Sequence, residues 1–172
     1  MRRPWHRQLR HGAPAARLAS WLREPGSLTA RCQRHCRCFR VHLLRSGWLP
    51  PVAGESRSRG LLRGREVILE CDGVPVIFAH SVLLSASRGR LSRWLDGLAS
   101  RSLGSLLFTC PGFKREPLEF CKLDAAHPLH QRAATWAGGT PELWARRSVH
   151  RLGRQALLVT EVFLPGIGQI GA

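Results

Sequence analysis

Acidic residues are scarce in this chain of 172 residues, since only 11 are Asp or Glu against 27 that are Lys or Arg. No run of about 18 apolar residues occurs, so we expect no membrane-spanning helix. The first ten residues are basic and contain no apolar stretch, so we expect no secretory signal either. Because carboxylates are so few, the position of each one is informative.

The six cysteines lack the paired C-x2-C spacing that is typical of zinc sites. Cys32, Cys36 and Cys38 lie close together around His35, but on a helix or a strand their thiols would point in different directions. We therefore favour free thiols in a reducing cytoplasm over a metal site, and we expect no cofactor.

Hydrophobic residues make up 44% of the chain and six residues are Trp, which fits one folded domain with a full core. The formal net charge of +16 would ordinarily indicate a nucleic-acid partner. Nearly all of it comes from Arg scattered along the chain, and the same field would attract a small anion. Charge alone therefore does not distinguish a nucleic-acid partner from a small anionic ligand. We expect a loose extension over residues 1–14, one domain over 15–166 and a surface tail over 167–172.

Two hairpins are the clearest local predictions. Asp72-Gly73 is a two-residue sequence of the kind that a type I′ turn favours, because both positions need a positive φ. Gly153-Arg154 predicts the turn of a second hairpin. The strands that these turns would join are expected at 65–71, 74–84, 144–152 and 155–164.

Apolar residues at helical spacing predict helices over 15–23 and 89–100. The segment 103–108 follows the second helix closely, and Gly104 would either let the backbone approach a ligand or form a corner. The other segments are interpreted as a helix start or a loop at 27–29, a weak strand at 37–44, and loops at 48–63 and 125–142.

Each hairpin places one lone charge on its apolar face, Arg65 in the first and Glu161 in the second. The apolar neighbours are Val67, Leu69 and Cys71 for Arg65, and Leu157, Val159 and Phe163 for Glu161. A lone carboxylate on a buried face costs several kcal/mol unless it is paired, so it often marks a site. The alternatives are that Arg65 extends to solvent, that Glu161 is exposed or in a structural ion pair, or that the two pair with each other.

A pocket that holds both charges could bind a small molecule with a carboxylate and a hydroxyl group. The guanidinium of Arg65 would bind the carboxylate through two N–H groups, and Glu161 would accept a hydrogen bond from the hydroxyl.

Several segments, in this order along the chain, carry a family resemblance. They are Arg65-Glu66-Val67-Ile68-Leu69 with Asp72-Gly73-x-Pro75, then Leu103-Gly104-x-Leu106-Leu107-Phe108-Thr109, then W-x-R-R-S from Trp144 and L-L-x-T-E-x-F-L-P from Leu157 to Pro165. Together they resemble the chorismate pyruvate-lyase family over roughly residues 60 to 165.

The resemblance implies a single α+β domain, an antiparallel sheet flanked by helices with an enclosed ligand pocket. It implies a lyase that removes pyruvate from chorismate to give 4-hydroxybenzoate, the first committed step of ubiquinone biosynthesis, without a metal or a cofactor. Arg65 would bind the carboxylate of the aromatic product, completed by main-chain groups at Leu103 and, from an N-terminal flap, at Leu28. Glu161 would contact the 4-hydroxyl. We expect a monomer with no nucleic-acid partner.

The chain also departs from the family pattern. The segment 124–142 is longer, and Ala79-His80 stands where Gly-Arg is found. The second carboxylate of chorismate would then be bound by a protonated His80, or by Arg146 or Arg147. For these two arginines we favour solvated charges at the start of a strand.

Two other classes of function remain as alternatives. The first is a ligand-sensing module, since the fold resembles effector domains of bacterial regulators, but the N-terminal 60 residues or so are too few for their DNA-binding domain. The second is a nucleic-acid-binding protein, which would need exposed aromatic residues along a basic stripe, whereas the Trp residues have core-like spacing.

Overall fold

The computed structural model describes residues 5–9, 14–52, 54–55, 60–84, 89–109 and 111–170. The helices are α1 Ala16–Leu22, α2 Leu28–His35, α3 Arg90–Gly97, α4 Leu103–Thr109 and α5 Pro128–Ala133, with 3₁₀ turns at Ala134–Trp136 and Pro165–Gln169. The strands are β1 Phe39–Leu49, β2 Leu62–Cys71, β3 Val74–Leu83, β4 Lys114–Arg115, β5 Glu119–Asp124, β6 Glu142–Leu152 and β7 Gln155–Phe163. No helix of the described ranges is long and apolar enough to cross a membrane.

The described strands form one antiparallel sheet in the order β1-β2-β3-β7-β6-β4, and β5 also pairs with β6. Both predicted hairpins are confirmed as β2–β3 and β6–β7. Asp72 and Gly73 have φ values of 51° and 81°, which is the geometry that a type I′ turn needs. The prediction of an α+β domain with an antiparallel sheet is confirmed.

Both faces of the sheet are covered. On one face, two apolar clusters lie apart, one around α1 and α2 and the other around α3 and α4. The opposite face packs against α5 through a third cluster that includes Ile68, Phe78 and Leu129. A pocket lies between the first two clusters on that face.

Two of the predicted loops need correction. The loop predicted over 125–142 is wrong, because Pro128 begins α5 and the ring of His127 accepts a hydrogen bond from the N–H of Leu129. The loop predicted over 48–63 is shorter, since β1 continues to Leu49 and β2 begins at Leu62. Of the two alternatives at 27–29 the helix is correct, and the Ser27 hydroxyl caps α2.

Described segments near both ends of the chain also contact the domain. His6 forms an antiparallel bridge with Phe120. Near the other end, Ile167 and Ile170 are buried in the same cluster as Trp21, and the guanidinium of Arg17 donates to the carbonyl of Ile170. The prediction that residues 167–172 form a surface tail is therefore wrong for these two isoleucines.

A buried ionic cluster lies on the α5 face of the sheet. His80 is fully buried between two glutamates, with its Nδ1 2.9 Å from Glu66 Oε1 and its Nε2 3.2 Å from Glu55 Oε1. Arg132 on α5 donates to Glu66 over 2.8 Å. Glu55 also accepts from the N–H of Val52, so the cluster attaches the loop after β1 and helix α5 to the sheet.

This cluster makes the stability of the fold depend on pH. Burial alone would lower the pKa of His80, but hydrogen bonds to Glu55 and Glu66 outweigh it and raise that pKa above 6.5. Burial would raise the pKa of Glu66, but His80 and Arg132 lower it below 4.5. The His80 contribution is fully present below pH 6.5 and is lost as the pH rises through the folded pKa. The Glu66 contribution is present above pH 4.5 and is lost in acid.

We therefore expect the free energy of unfolding to decrease between pH 6 and pH 9, and His80→Gln to flatten that decrease and to cost about 1–3 kcal/mol at pH 6. Urea unfolding at pH 6 and pH 9 measures the free energy of unfolding of wild type and of the variant. His42→Gln is the control, because the exposed His42 pairs with Glu70 on the edge of the sheet. Equal slopes for wild type and His80→Gln would contradict the assignment.

Candidate active site

One pocket between the sheet and the helices brings together all four residues that the sequence singled out. Leu28, Arg65, Leu103 and Glu161 all line it, and it contains about 580 Å³ of space not filled by atoms, part of it open to solvent. The sheet supplies both charged residues, and α2 and α4 supply the two leucines. The sheet therefore forms the floor of the pocket, and α2 and α4 form its cover.

Strand register explains how the two charges face the same space. Arg65 lies opposite Ser81, and Glu161 lies opposite Ala79, so β3 separates their strands. Strands about 4.8 Å apart and a rise of about 3.4 Å per residue place the two Cα atoms about 12 Å apart. That separation leaves room for a small organic molecule between the charged groups.

Arg65 is a buried cation, 2% exposed, so the alternative that it extends to solvent is wrong. Its Nη1 donates to the carbonyl of Arg101 over 3.1 Å and its Nη2 donates to the carbonyl of Ala99 over 2.8 Å. These carbonyls lie between α3 and α4 and fix the guanidinium against the pocket. Burial lowers the pKa of Arg65, because the guanidinium loses part of its solvation by water and its charged form becomes less favourable.

Glu161 does not pair with Arg65. Its Oε2 accepts from Arg146 Nε over 2.6 Å, across the strands β6 and β7, where the two residues are direct partners. The alternative of a direct Arg65–Glu161 salt bridge is therefore wrong. The alternative that Glu161 forms a structural ion pair is correct, and its partner is Arg146. The carboxylate still lines the pocket, and its side chain is 17% exposed.

Arg146 is buried beside the pocket. It is 1% exposed, so the prediction of a solvated charge is wrong for it. Its Nη1 donates to the carbonyls of Leu22 and Glu24, at 3.3 and 2.7 Å, at the end of α1. Arg147 points away from the pocket, since it pairs with Glu119 and lies over the ring of Trp5.

The cover of the pocket is formed by the packing of α2 on α4. A Cβ on Gly104 would lie 2.9 Å from Ser27 Oγ and 3.0 Å from Thr29 Oγ1, so glycine permits this close approach. Gly104 lies inside α4, and the expectation that it forms a corner is wrong. Thr29 and Ser102 also share a hydrogen bond of 2.6 Å across the two helices.

A group of polar residues at one end of the pocket was not predicted. Arg115, Ser148 and His150 line it beside Arg146. Arg115 Nε lies 3.1 Å from Ser148 Oγ, which lies 3.2 Å from His150 Nε2. The alternation of Arg146, Ser148 and His150 along β6 was the signal that could have revealed them, because all three face the side that Glu161 faces.

His80 does not reach this pocket. It belongs to the ionic cluster on the α5 face, so the idea that it binds the second carboxylate is wrong.

Of the cysteines, Cys110 lies outside the described residues, and the other five are free thiols. Burial raises the pKa of Cys32 to about 12 and also raises that of Cys71. Among the described residues no group of three or more His, Cys, Asp or Glu could hold a metal ion.

The fold and the site define an α+β protein of one domain with a pocket lined by buried charged side chains. The chorismate lyase family matches residues 2–170. A probable chorismate pyruvate-lyase of Dechloromonas aromatica (strain RCB) is 60% identical over 154 residues, covering 87% of this chain and 88% of that protein. Another, of Cupriavidus metallidurans, is 40% identical over 176 residues, covering 97% and 82%. The chain belongs to the chorismate lyase family.

A solved structure supports the fold alone. The C-terminal domain of the histidine utilization repressor from Pseudomonas syringae pv. tomato is similar over 75% of this chain and 92% of that chain. The TM-score is 0.50 and the sequence identity is 11%.

Proposed function

We propose that this protein removes pyruvate from chorismate and releases 4-hydroxybenzoate. The observation that carries the proposal is that Arg65 and Glu161 face one pocket from separate strands without pairing. Family membership supports the substrate, and the spacing of the two charges supports a ligand with a carboxylate and a hydroxyl at opposite ends of a ring.

Arg65 is proposed to bind the ring carboxylate. Its two main-chain partners hold the guanidinium in place, so the group loses little freedom when a carboxylate binds. The main chain at Leu103 begins α4, where N–H groups have no partner within the helix, and we propose that it completes this carboxylate site. Leu28 on α2 would add a main-chain contact from the cover.

Glu161 is proposed to accept a hydrogen bond from the 4-hydroxyl. The carboxylate already accepts a hydrogen bond from the buried guanidinium of Arg146 over 2.6 Å, which holds it in place, so we assign it to orienting the hydroxyl rather than to removing a proton. A concerted transfer of the ring hydrogen to the enolpyruvyl methylene needs no base. In this view the pocket mainly holds the substrate in a reactive conformation and excludes water.

Aromatisation of the ring makes the elimination strongly downhill, so the proposed chemistry needs no redox cofactor. We also propose that the protein acts as a monomer in the cytoplasm and that its product supplies ubiquinone biosynthesis. The free thiols support a reducing compartment.

Incubation of the purified protein with chorismate is the direct test. We expect 4-hydroxybenzoate and pyruvate in equal amounts, measured by chromatography and by a coupled pyruvate assay. Chorismate that binds and stays intact would favour the ligand-sensing alternative and would contradict the proposed reaction. Binding to DNA that weakens with salt, without turnover, would favour a nucleic-acid partner.

A further inference from the structure

The pocket carries more positive charge than a ligand with one ring carboxylate and one hydroxyl would neutralise. Among the residues that the structure describes, three arginines and one glutamate line it, which leaves two positive charges. His150 adds none near neutral pH, because burial, and then Arg115 and Arg146, lower its pKa to about 4. Chorismate carries two carboxylates, of which the proposed function assigns only one. One cation of the pocket therefore remains without a role.

Arg115 is that cation. Arg146 is neutralised by Glu161, whereas the hydrogen bonds of Arg115 go to neutral oxygens, Ser148 Oγ at 3.1 Å and the carbonyl of Pro25 at 2.7 Å. Within the described ranges no ion pair joins Arg115 to an acidic side chain. A half-buried cation without an acidic partner is costly unless an anion binds beside it.

The position of Arg115 also fits. Strand register divides the floor of the pocket, along the line from Arg65 to Glu161, into an apolar side toward β1 and a cationic side toward β4. The apolar side carries Val41, Val67 and Leu69. The cationic side carries Arg115, Ser148 and His150. In chorismate the enolpyruvyl ether is attached to the carbon next to the one that bears the hydroxyl, so its carboxylate extends to one side of this line. The cationic side is the favourable one.

We infer that Arg115, Ser148 and His150 form the subsite for the enolpyruvyl carboxylate of the substrate. This inference rests on the proposed function. Arg115 supplies the charge, and Ser148, which accepts from Arg115 Nε and lies beside His150 Nε2, fixes the plane of the guanidinium.

The same subsite holds the three-carbon product. When the ether bond between the ring and its oxygen breaks, that oxygen becomes the carbonyl oxygen of pyruvate. The ring hydrogen moves to the methylene carbon, which becomes a methyl group, and the ring becomes aromatic. The carboxylate that Arg115 binds is unchanged in this step, so pyruvate should inhibit by occupying this subsite.

The test uses the difference between substrate and aromatic product, since 4-hydroxybenzoate lacks the second carboxylate. Arg115→Gln should raise the KM for chorismate by about 10- to 100-fold and weaken inhibition by pyruvate, while the Kd for 4-hydroxybenzoate changes less than about twofold. Ser148→Ala, a smaller change that leaves the charge in place, should raise the same KM by about 3- to 10-fold.

Arg151→Gln is the matched control, because it removes the same charge from β6 next to His150, where Arg151 pairs with Glu116 at the surface. The subsite would be overturned if Arg115→Gln lost affinity for chorismate and 4-hydroxybenzoate equally, or if neither Arg115→Gln nor Ser148→Ala lost affinity for chorismate. In both cases turnover of chorismate by wild type would still support the proposed function. If wild type binds chorismate without turnover, its Kd replaces KM in the same comparison. Wild type that binds no chorismate would overturn both.

Discussion

Glu161→Gln is expected to lower kcat by about 100-fold, with a smaller change in the KM for chorismate. The amide keeps the shape of the side chain but loses the negative charge, so the hydrogen bond to the 4-hydroxyl becomes a weaker, neutral one. The same change leaves Arg146 without a charged partner at 1% exposure, so we expect the free energy of unfolding to fall by about 1–3 kcal/mol. Steady-state kinetics and urea unfolding measure the two effects.

Glu119→Gln is the matched control for this variant. Glu119 forms an ion pair of 2.7 Å with Arg147, the neighbour of Arg146 on the same strand, but outside the pocket. We expect its kcat to equal that of wild type. Wild-type turnover in Glu161→Gln, or the same loss in both variants, would remove Glu161 from the reaction.

Arg65→Ala is expected to weaken the binding of chorismate and of 4-hydroxybenzoate alike, by about 2–4 kcal/mol, or about 30- to 1000-fold. Both ligands carry the ring carboxylate, so both lose the same charge-assisted contact. Titration calorimetry with 4-hydroxybenzoate measures the loss without turnover. Because alanine also leaves a void and frees the carbonyls of Ala99 and Arg101, Arg65→Met, which fills more of the space, separates binding from packing.

Arg63 provides the control for position on the strand. It lies two residues before Arg65 on β2, but its guanidinium pairs with Asp96 near the surface. Arg63→Ala should leave both affinities within about twofold of wild type. If it weakened binding as much as Arg65→Ala, a general loss of positive charge would explain the effect better than a specific contact.

The hairpins and the two inward charges could be predicted from the sequence because each depends on local chemistry. Asp72-Gly73 specifies its turn through backbone conformation, and alternation along each strand assigns Arg65 and Glu161 to the buried face. Neither inference requires knowledge of which strands are neighbours. The remaining residues of the pocket can be identified only when the order of the strands and the packing of the helices are known.

The pairing of Arg146 with Glu161 was available from the predicted second hairpin, because a turn at Gly153-Arg154 pairs residue 152 with 155 and therefore 146 with 161. It was missed because the adjacent Arg147 makes the two arginines resemble solvated charges. His80 could not be placed in this way, because the register of the first hairpin shifts between Leu69 and Glu70 and brings Glu66 rather than Arg65 opposite His80. Helix α5 was missed because six residues with a proline at the start carry too little periodicity to stand out.

Arg115 and Arg146 also join the floor of the pocket to its lid, since they donate to the carbonyls of Leu22, Glu24 and Pro25. Movement of the turn between the first two helices would break these three bonds and expose two cations to water. If this turn has to move before a product leaves, substitutions in the turn that never touch the reacting atoms should change turnover.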